Sequence, residues 1–452
     1  MPQHPTVDLS AFPPGFRWSA ATAAFQVEGS RTADGRGRSI WDDFVDTEGA
    51  VRDGATAEPG PDSYRRHRQD VALLARLGVD RYRFSISWVR VQPEPGGPVA
   101  QAGLDYYRRL ADDLLEAGVT PFATLYHWDL PSTLEARGGW LDRDTAHRFG
   151  EYAEIVADAL GDRITHWYTI NEPVSTSLQG YAVGTLAPAR QLLFGALPTV
   201  HHQLLGHGLA LRALRASSAT EAGIVNNHTH VRAASGSDAD VQAAAVYDLL
   251  HNRIFADPIL TGAYPDLGAF GIPPMPVVAG DLELIGAAAD FYGINFYNPT
   301  TIAAAAAESP VRFEIVPTPG APVTGFGTEW PIVPAALTDL LIDFRERYGD
   351  RLPPLVIGEN GASFPEPDRV DDAVADAERI AYLAGHIAAV GDAVRAGVDV
   401  REYTVWSLLD NFEWAEGWTQ RFGLVHVDFD TAARTPKASF DWYRGLIAGA
   451  RA

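Results

Sequence analysis

The chain has 452 residues, 46% of them hydrophobic and 21% charged, enough to bury one large core or to divide into two or three average domains. It has no cysteine, which excludes disulfides and thiolate metal sites. Its 36 basic and 58 acidic side chains leave a formal charge of −22, which works against binding nucleic acid or anionic membranes. The stretch from Met1 to Ser10 is polar and carries no basic region followed by an apolar one. Nor does any apolar run approach the roughly 20 residues of a membrane span, so a cytoplasmic protein is expected.

Eight short runs rich in strand-favouring residues follow one another along the chain: Phe16–Ala20, Arg81–Ile86, Thr120–Leu125, His166–Ile170, Gly223–Asn227, Asp290–Asn295, Leu355–Gly358 and Glu402–Ser407. Between them lie segments of helical period, including Tyr64–Leu77, Leu104–Ala117, Thr145–Leu160, Thr199–Ala216, Pro334–Tyr348 and Asp376–Ala396. Gly78, Gly118 and Gly397 stand where three of these helices should stop and feed the next strand. Strands alternating with helices predict a parallel sheet, and eight is the number that closes a (β/α)8 barrel. The mean repeat of about 55 residues far exceeds the roughly 30 of a minimal unit. The surplus falls after the strands, where barrels build their active sites. A doubly wound open sheet needs similar alternation, but no Gly-x-Gly-x-x-Gly turn follows the first strand. No linker divides the chain, so one barrel domain over residues 1–452 is expected.

Two glutamates occupy matching positions. Glu172 follows the fourth predicted strand in Asn171-Glu172-Pro173, and Glu359 ends the seventh in Gly358-Glu359-Asn360-Gly361. Either one alone reads as a loop residue or a helix cap. As a pair on one rim, they are the minimal apparatus for glycoside hydrolysis: one carboxyl protonates the leaving oxygen while the other attacks the anomeric carbon or activates water. Flat aromatic and hydrogen-bonding residues follow other strands, at His127-Trp128, at Asn295 and Tyr297, and from Trp406 through Glu413-Trp414. His201, His202 and His207 fall on a predicted helix without an acidic partner in register, and His228 and His230 alternate out of a strand. None of these offers convincing metal-ligand spacing, so neither metal nor cofactor is expected.

From Phe16 to Trp442 the chain resembles family 1 of the glycoside hydrolases, the β-glucosidase and β-galactosidase family. The resemblance rests on four motifs in order: Phe16 to Gly29, Asn171-Glu172-Pro173, Glu359-Asn360-Gly361, and Trp406-Ser407-Leu408-Leu409-Asp410-Asn411-Phe412-Glu413-Trp414. It implies a retaining double-displacement β-glycosidase with Glu172 as acid/base and Glu359 as nucleophile. Gln26, His127, Asn171, Glu413 and Trp414 would then hydrogen-bond the sugar, and Trp406 would form its stacking floor. Arg83 and Tyr297 would hold Glu359 ionised, with Asn295 in the same polar shell. Trp330 and Asn227 would meet the leaving group, and Trp128 and Phe422 would wall the pocket.

Further expectations follow from that resemblance. The preferred substrate is a terminal β-D-glucoside of an oligosaccharide or of an aryl or alkyl alcohol, with β-galactosides and β-fucosides secondary. A charged Glu413 would repel a 6-phosphate. The family usually has threonine at position 358, so Gly358 removes a hydroxyl and a branched side chain and should loosen packing beside Glu359. Other readings are a β-galactosidase- or transglycosylation-dominant enzyme, a non-catalytic sugar-binding barrel and a metal-dependent hydrolase. The expected partner is a small-molecule glycoside, not nucleic acid or membrane.

Overall fold

The computed structural model describes residues 6–217, 221–306, 308–367 and 374–451. Residues 1–5, part of the stretch read above for a secretory signal, lie outside the described residues. Eight parallel strands close a barrel: β1 (Arg17–Ala21), β2 (Arg81–Ser85), β3 (Thr120–Tyr126), β4 (His166–Asn171), β5 (Glu221–Asn227), β6 (Phe291–Asn295), β7 (Leu355–Asn360) and β8 (Val400–Trp406). Each pairs with its sequence neighbours, and β1 pairs with β8 to seal the ring. This is the expected (β/α)8 fold, with strand boundaries within two residues of the sequence reading.

The outer layer comprises α1 (Ser63–Leu77), α2 (Gln101–Glu116), α3 (Arg143–Leu160), α4 (Leu197–Ser217), α5 (Asp238–Asp248), α6 (Ile254–Thr261), α7 (Ala335–Tyr348), α8 (Ala377–Arg395) and α9 (Ala438–Ala450). In α3 the buried positions Thr145, Ala146, Phe149, Tyr152, Ala153, Val156, Ala157 and Leu160 recur at helical spacing, which lays one apolar stripe on the barrel. Gly78, Gly118 and Gly397 take left-handed φ values of 79°, 74° and 90° at the helix stops, a conformation that costs a Cβ-bearing residue more. No helix among the described residues is long and apolar enough to cross a membrane.

Side chains alternate in and out along each strand, so the barrel has its own interior. Phe122, Tyr168, Val225, Phe291 and Val356 form a buried cluster there, separate from the main core. Beside them Glu402 of β8 accepts from Arg81 of β2 at 2.7 Å and from Ser19 of β1 at 2.5 Å. The long connections after the strands hold structure that the sequence reading left as loop. They contain a three-stranded sheet (Val231–Ala233, Thr300–Ala304, Phe313–Val316), two hairpins and a π-helical segment, Ser175–Val183.

Candidate active site

The carboxyl ends of the strands bring the sequence-predicted residues together. Glu172 leaves β4 with a left-handed φ of 45°, and Trp128 and Trp414 share that conformation at 79° and 52°. Three non-glycine residues held this way at one rim mark local strain, which collects where function fixes a side chain's direction. Gly361 lets the exits of β7 and β8 meet, since a Cβ there would overlap the carbonyl oxygen of Trp406. Glu359 and Trp406 are thereby held side by side.

One hydrogen-bonded network joins the two glutamates. Arg83 donates to Glu359 Oε1 at 2.7 Å and, through its other terminal nitrogen, to Asn171 Oδ1 at 2.6 Å. Tyr297 donates to Glu359 Oε2 at 2.6 Å. Asn295 Nδ2 bridges Asn171 Oδ1 at 3.1 Å and Glu172 Oε1 at 2.7 Å. Glu172 also accepts from Asn227 at 3.3 Å and from Ser175 at 2.8 Å. Glu359 therefore rests against a guanidinium, whereas these donors to Glu172 are all neutral.

Electrostatics act on both carboxyls. Burial is the largest influence on both carboxyls and raises both pKa values. Glu359 is pushed up to about 7, by burial and by the charge of Glu172, against the pull of Arg83 and Tyr297. Arg83 and Tyr297 thus lessen the rise without holding the group in the ordinary carboxylate range. Contact with the cation favours the charged form of Glu359, and the donors to Glu172 include no cation.

The pocket above the pair has unfilled hydrogen-bonding capacity. Asn171 Nδ2 lies 3.1 Å from His127 Nε2, so that nitrogen accepts and the imidazole proton sits on Nδ1. Burial and Arg83 push the His127 pKa well down, keeping the ring neutral, and its Nδ1 is buried with no partner. Gln26 spends Nε2 on Asn411, Phe412 and Glu413, and its Oε1 likewise has no partner. Asn295 Oδ1 also has no partner, but it lies against position 358, where a Cβ would meet it at 2.8 Å. Buried polar atoms without partners are costly, so the Gln26 and His127 atoms point to a polar ligand. Aromatic walls enclose it. Trp128 and Trp414 have centroids 4.5 Å apart, His127 stacks on Trp406 at 5.9 Å, and Tyr297 meets Trp330 at 5.0 Å and Phe422 at 6.2 Å.

The family model for glycosyl hydrolase family 1 matches residues 9–451. The chain belongs to glycosyl hydrolase family 1. It is 40% identical over 443 residues to a 1,4-beta-D-glucan glucohydrolase of Thermotoga neapolitana, covering 97% of this chain and 98% of that protein. It is 41% identical to a bifunctional beta-D-glucosidase/beta-D-fucosidase of Bifidobacterium breve, covering 97% and 98%. Among solved structures, the psychrophilic beta-glucosidase BglU of Micrococcus antarcticus superposes with a TM-score of 0.93 at 44% identity, covering 98% of both chains.

For this family 1 protein the expectation for Gly358 needs correction, and that for Glu413 is qualified by its surroundings. Gly358 does not loosen the site, because a Cβ there would lie 2.7 Å from Val225 Cγ2 and 2.8 Å from Asn295 Oδ1. The space is already filled from β5, and Tyr168 packs beneath it with Arg83 4.8 Å over its ring. Glu413 is pushed up to about 8 by burial and by the charges of Glu359 and Glu172. A carboxyl so raised resists ionisation, which weakens the charge expected to repel a phosphate.

Other groups escaped the sequence reading. Ser175 stands three residues after Glu172, at a spacing that one helical turn makes visible. Phe326, stacked 4.4 Å from Trp330, carried no local signal. His201 does have an acidic partner, Asp281 at 2.8 Å, supplied by a short helix far along the chain. Among the described residues, Glu366, Asp410 and His426 are close enough to share a cation. Lys437 already supplies one, 2.5 Å from Glu366 and 2.8 Å from Asp410, with Arg379 and Arg421 beside them. That cluster anchors the loop carrying Glu413, Trp414 and Phe422.

Proposed function

We propose that the chain hydrolyses terminal, non-reducing β-D-glucosides with retention of configuration, and accepts β-fucosides and β-galactosides less well. The observation that carries this reading is the unequal pair of buried glutamates, one against Arg83 and Tyr297, the other among amides and a hydroxyl. The relatives named as a glucan glucohydrolase, a beta-glucosidase and a bifunctional glucosidase/fucosidase support the substrate class. The whole chain then acts as one catalytic barrel domain.

In the first step Glu172 gives its proton to the glycosidic oxygen while Glu359 attacks the anomeric carbon, and the alcohol leaves. The ester that forms removes the charge from Glu359. With that charge gone, the pKa of Glu172 falls and its carboxylate can take a proton from water, which then displaces Glu359. Gln26, His127, Asn171, Glu413 and Trp414 hold the sugar hydroxyls over Trp406. Gln26 Oε1 accepts from one hydroxyl and His127 Nδ1 donates to another.

The test is chemical rescue. Glu359→Gly should lose more than about 10^4-fold in kcat on a nitrophenyl β-D-glucoside, the scale seen when a nucleophile is removed. Added formate should restore part of that loss. Glu172→Gln should lose about 10^2- to 10^4-fold on an alkyl glucoside and less where the leaving group needs no proton. Full activity in the Glu359 variant would defeat the assignment.

A further inference from the structure

Tyr168 of β4 lies in the barrel interior, fully buried, stacked 4.5 Å from Phe122 and edge-on to Phe291 at 5.3 Å. Two glycines make room for it. A Cβ at Gly293 of β6 would lie 2.7 Å from the ring atom Cε1, and one at Gly358 of β7 would lie 3.2 Å from the hydroxyl. Gly358 directly precedes Glu359, so the polar end of the ring arrives at the floor of the site, where Arg83 covers its face at 4.8 Å.

That hydroxyl and one amide oxygen complement each other, since the first can donate and the second only accepts. Tyr168 Oη and Asn295 Oδ1 are both buried without a partner. One point beside Gly358 lies 3.2 Å from the first and 2.8 Å from the second, so the two atoms are no more than about 6 Å apart, a gap that a single hydrogen-bonded water spans. The direction of the amide follows from its neighbours. Asn171 Oδ1 accepts from Arg83, so only Nδ2 of Asn295 can face it, and that nitrogen also donates to Glu172 Oε1. Oδ1 is thereby turned toward Gly358, where it calls for a donor. Every side-chain nitrogen of Arg83 already has an acceptor, in Thr124, Gly358, Glu359 or Asn171. The Tyr168 hydroxyl is the donor at hand.

We propose that Tyr168 is a positioning residue for the acid: its hydroxyl donates to Asn295 Oδ1, directly or through one buried water, and so holds Nδ2 of that amide on Glu172. The inference rests on the hydrolase reading given above and adds to it a residue buried beneath the pocket. A donor on Glu172 favours its charged form, so the Asn295 amide works against the rise that burial causes. Without the tyrosine hydroxyl the amide is free to turn, and Glu172 becomes a weaker acid. Arg83, Tyr297, Glu359 and Glu413, the charged and titratable groups around Glu172, are left in place.

The experiment follows kcat and KM against pH for Tyr168→Phe on methyl β-D-glucoside, whose leaving group needs the proton of Glu172. The alkaline limb of kcat/KM should move up by about 0.5–1 pH unit, the worth of one hydrogen bond. On the plateau kcat should fall about three- to tenfold while KM changes less than about twofold. Tyr168→Met also lacks the hydroxyl and should shift the limb in the same direction. In an Asn295→Ala background Tyr168→Phe should shift nothing further, because the amide it acts through is gone. A limb that stays fixed in the folded Tyr168→Phe and Tyr168→Met proteins, or that moves equally with and without Asn295, would overturn the proposal while leaving the hydrolase reading intact. A Tyr168→Phe chain that does not fold would make the hydroxyl a structural group, and would overturn it too. No hydrolysis of nitrophenyl β-D-glucoside by the unaltered protein would overturn both.

Discussion

Arg83 reaches Glu359 and Asn171 through separate nitrogens while its guanidinium lies over Tyr168, so one cation bears on the charge of Glu359 and on the direction of the amide beside Glu172. Because burial raises both carboxyls, the pH profile of kcat/KM should be bell-shaped, with its acid limb above the ordinary glutamate range. The acid limb follows ionisation of Glu359, whose raised pKa means activity is lost as pH falls through about 7. Tyr297→Phe removes a donor to the ionised form, so the limb should move to higher pH by about one to two units, the worth of a hydrogen bond to a charged group. A limb that moves down, or stays fixed, would separate Tyr297 from the charge of Glu359. Gly358 yields a second prediction at this scale. Gly358→Thr should cost about 1–3 kcal/mol through overpacking and lower kcat, since the new atoms press on Val225 and on Asn295, which holds Glu172. Adding Val225→Ala should recover part of the stability; no recovery would show that Val225 is not what fills the gap.

Strands are where the sequence was most legible, because a short β-branched or aromatic run closed by glycine, asparagine or proline is a local signal. Glu172, Glu359 and Asn295 were readable for the same reason: each ends such a run, and a barrel points strand ends at its active site. What could not be read is filling across strands. Tyr168, Val225 and Gly358 complement one another from β4, β5 and β7, and nothing local in any of the three reports the other two. Phe313–Val316 and its partners were equally silent, being short and partly exposed. Glu402 belongs to this class as well. It began a predicted strand, yet its burial between Arg81 and Ser19 depends on how β1, β2 and β8 close the barrel. Glu402→Ala should therefore destabilise by about 3–5 kcal/mol, because Arg81 is left buried without its counter-charge. Thermal scans would register this as a Tm lowered by several degrees, whereas a change within error would mean that Arg81 finds another carboxylate, Glu221 at 4.0 Å being the nearest alternative.

Across the whole molecule, two populations of buried titratable groups oppose each other in pH. Burial pushes His207 and His228 down to about 3 and His251 and His386 down to about 4, and His127 is also well below its ordinary value. The unfolded chain binds more protons at these histidines between about pH 4 and 6.5, so their contribution is lost as pH falls and stability rises with pH across that window. Burial acts the other way on the acids, raising Glu359 and Asp129 to about 7 and Glu413 to about 8. For these the folded chain binds more protons, and their contribution, present at low pH, is lost as pH rises through about 7 to 8. Below pH 6.5 the ten described histidines that burial lowers, these five among them, outnumber the six described acids that it raises, and above it only the acids still titrate. Thermal stability should therefore climb from pH 4 to a maximum near 6.5 and then fall by a few degrees toward pH 8, measured at one fixed scan rate because so large a chain can unfold irreversibly. A Tm that keeps rising to pH 8 would mean that the pocket acids are ionised in the folded protein. Glu413→Gln isolates the cause, since an amide at that position does not titrate and the decline between pH 6.5 and 8 should become shallower.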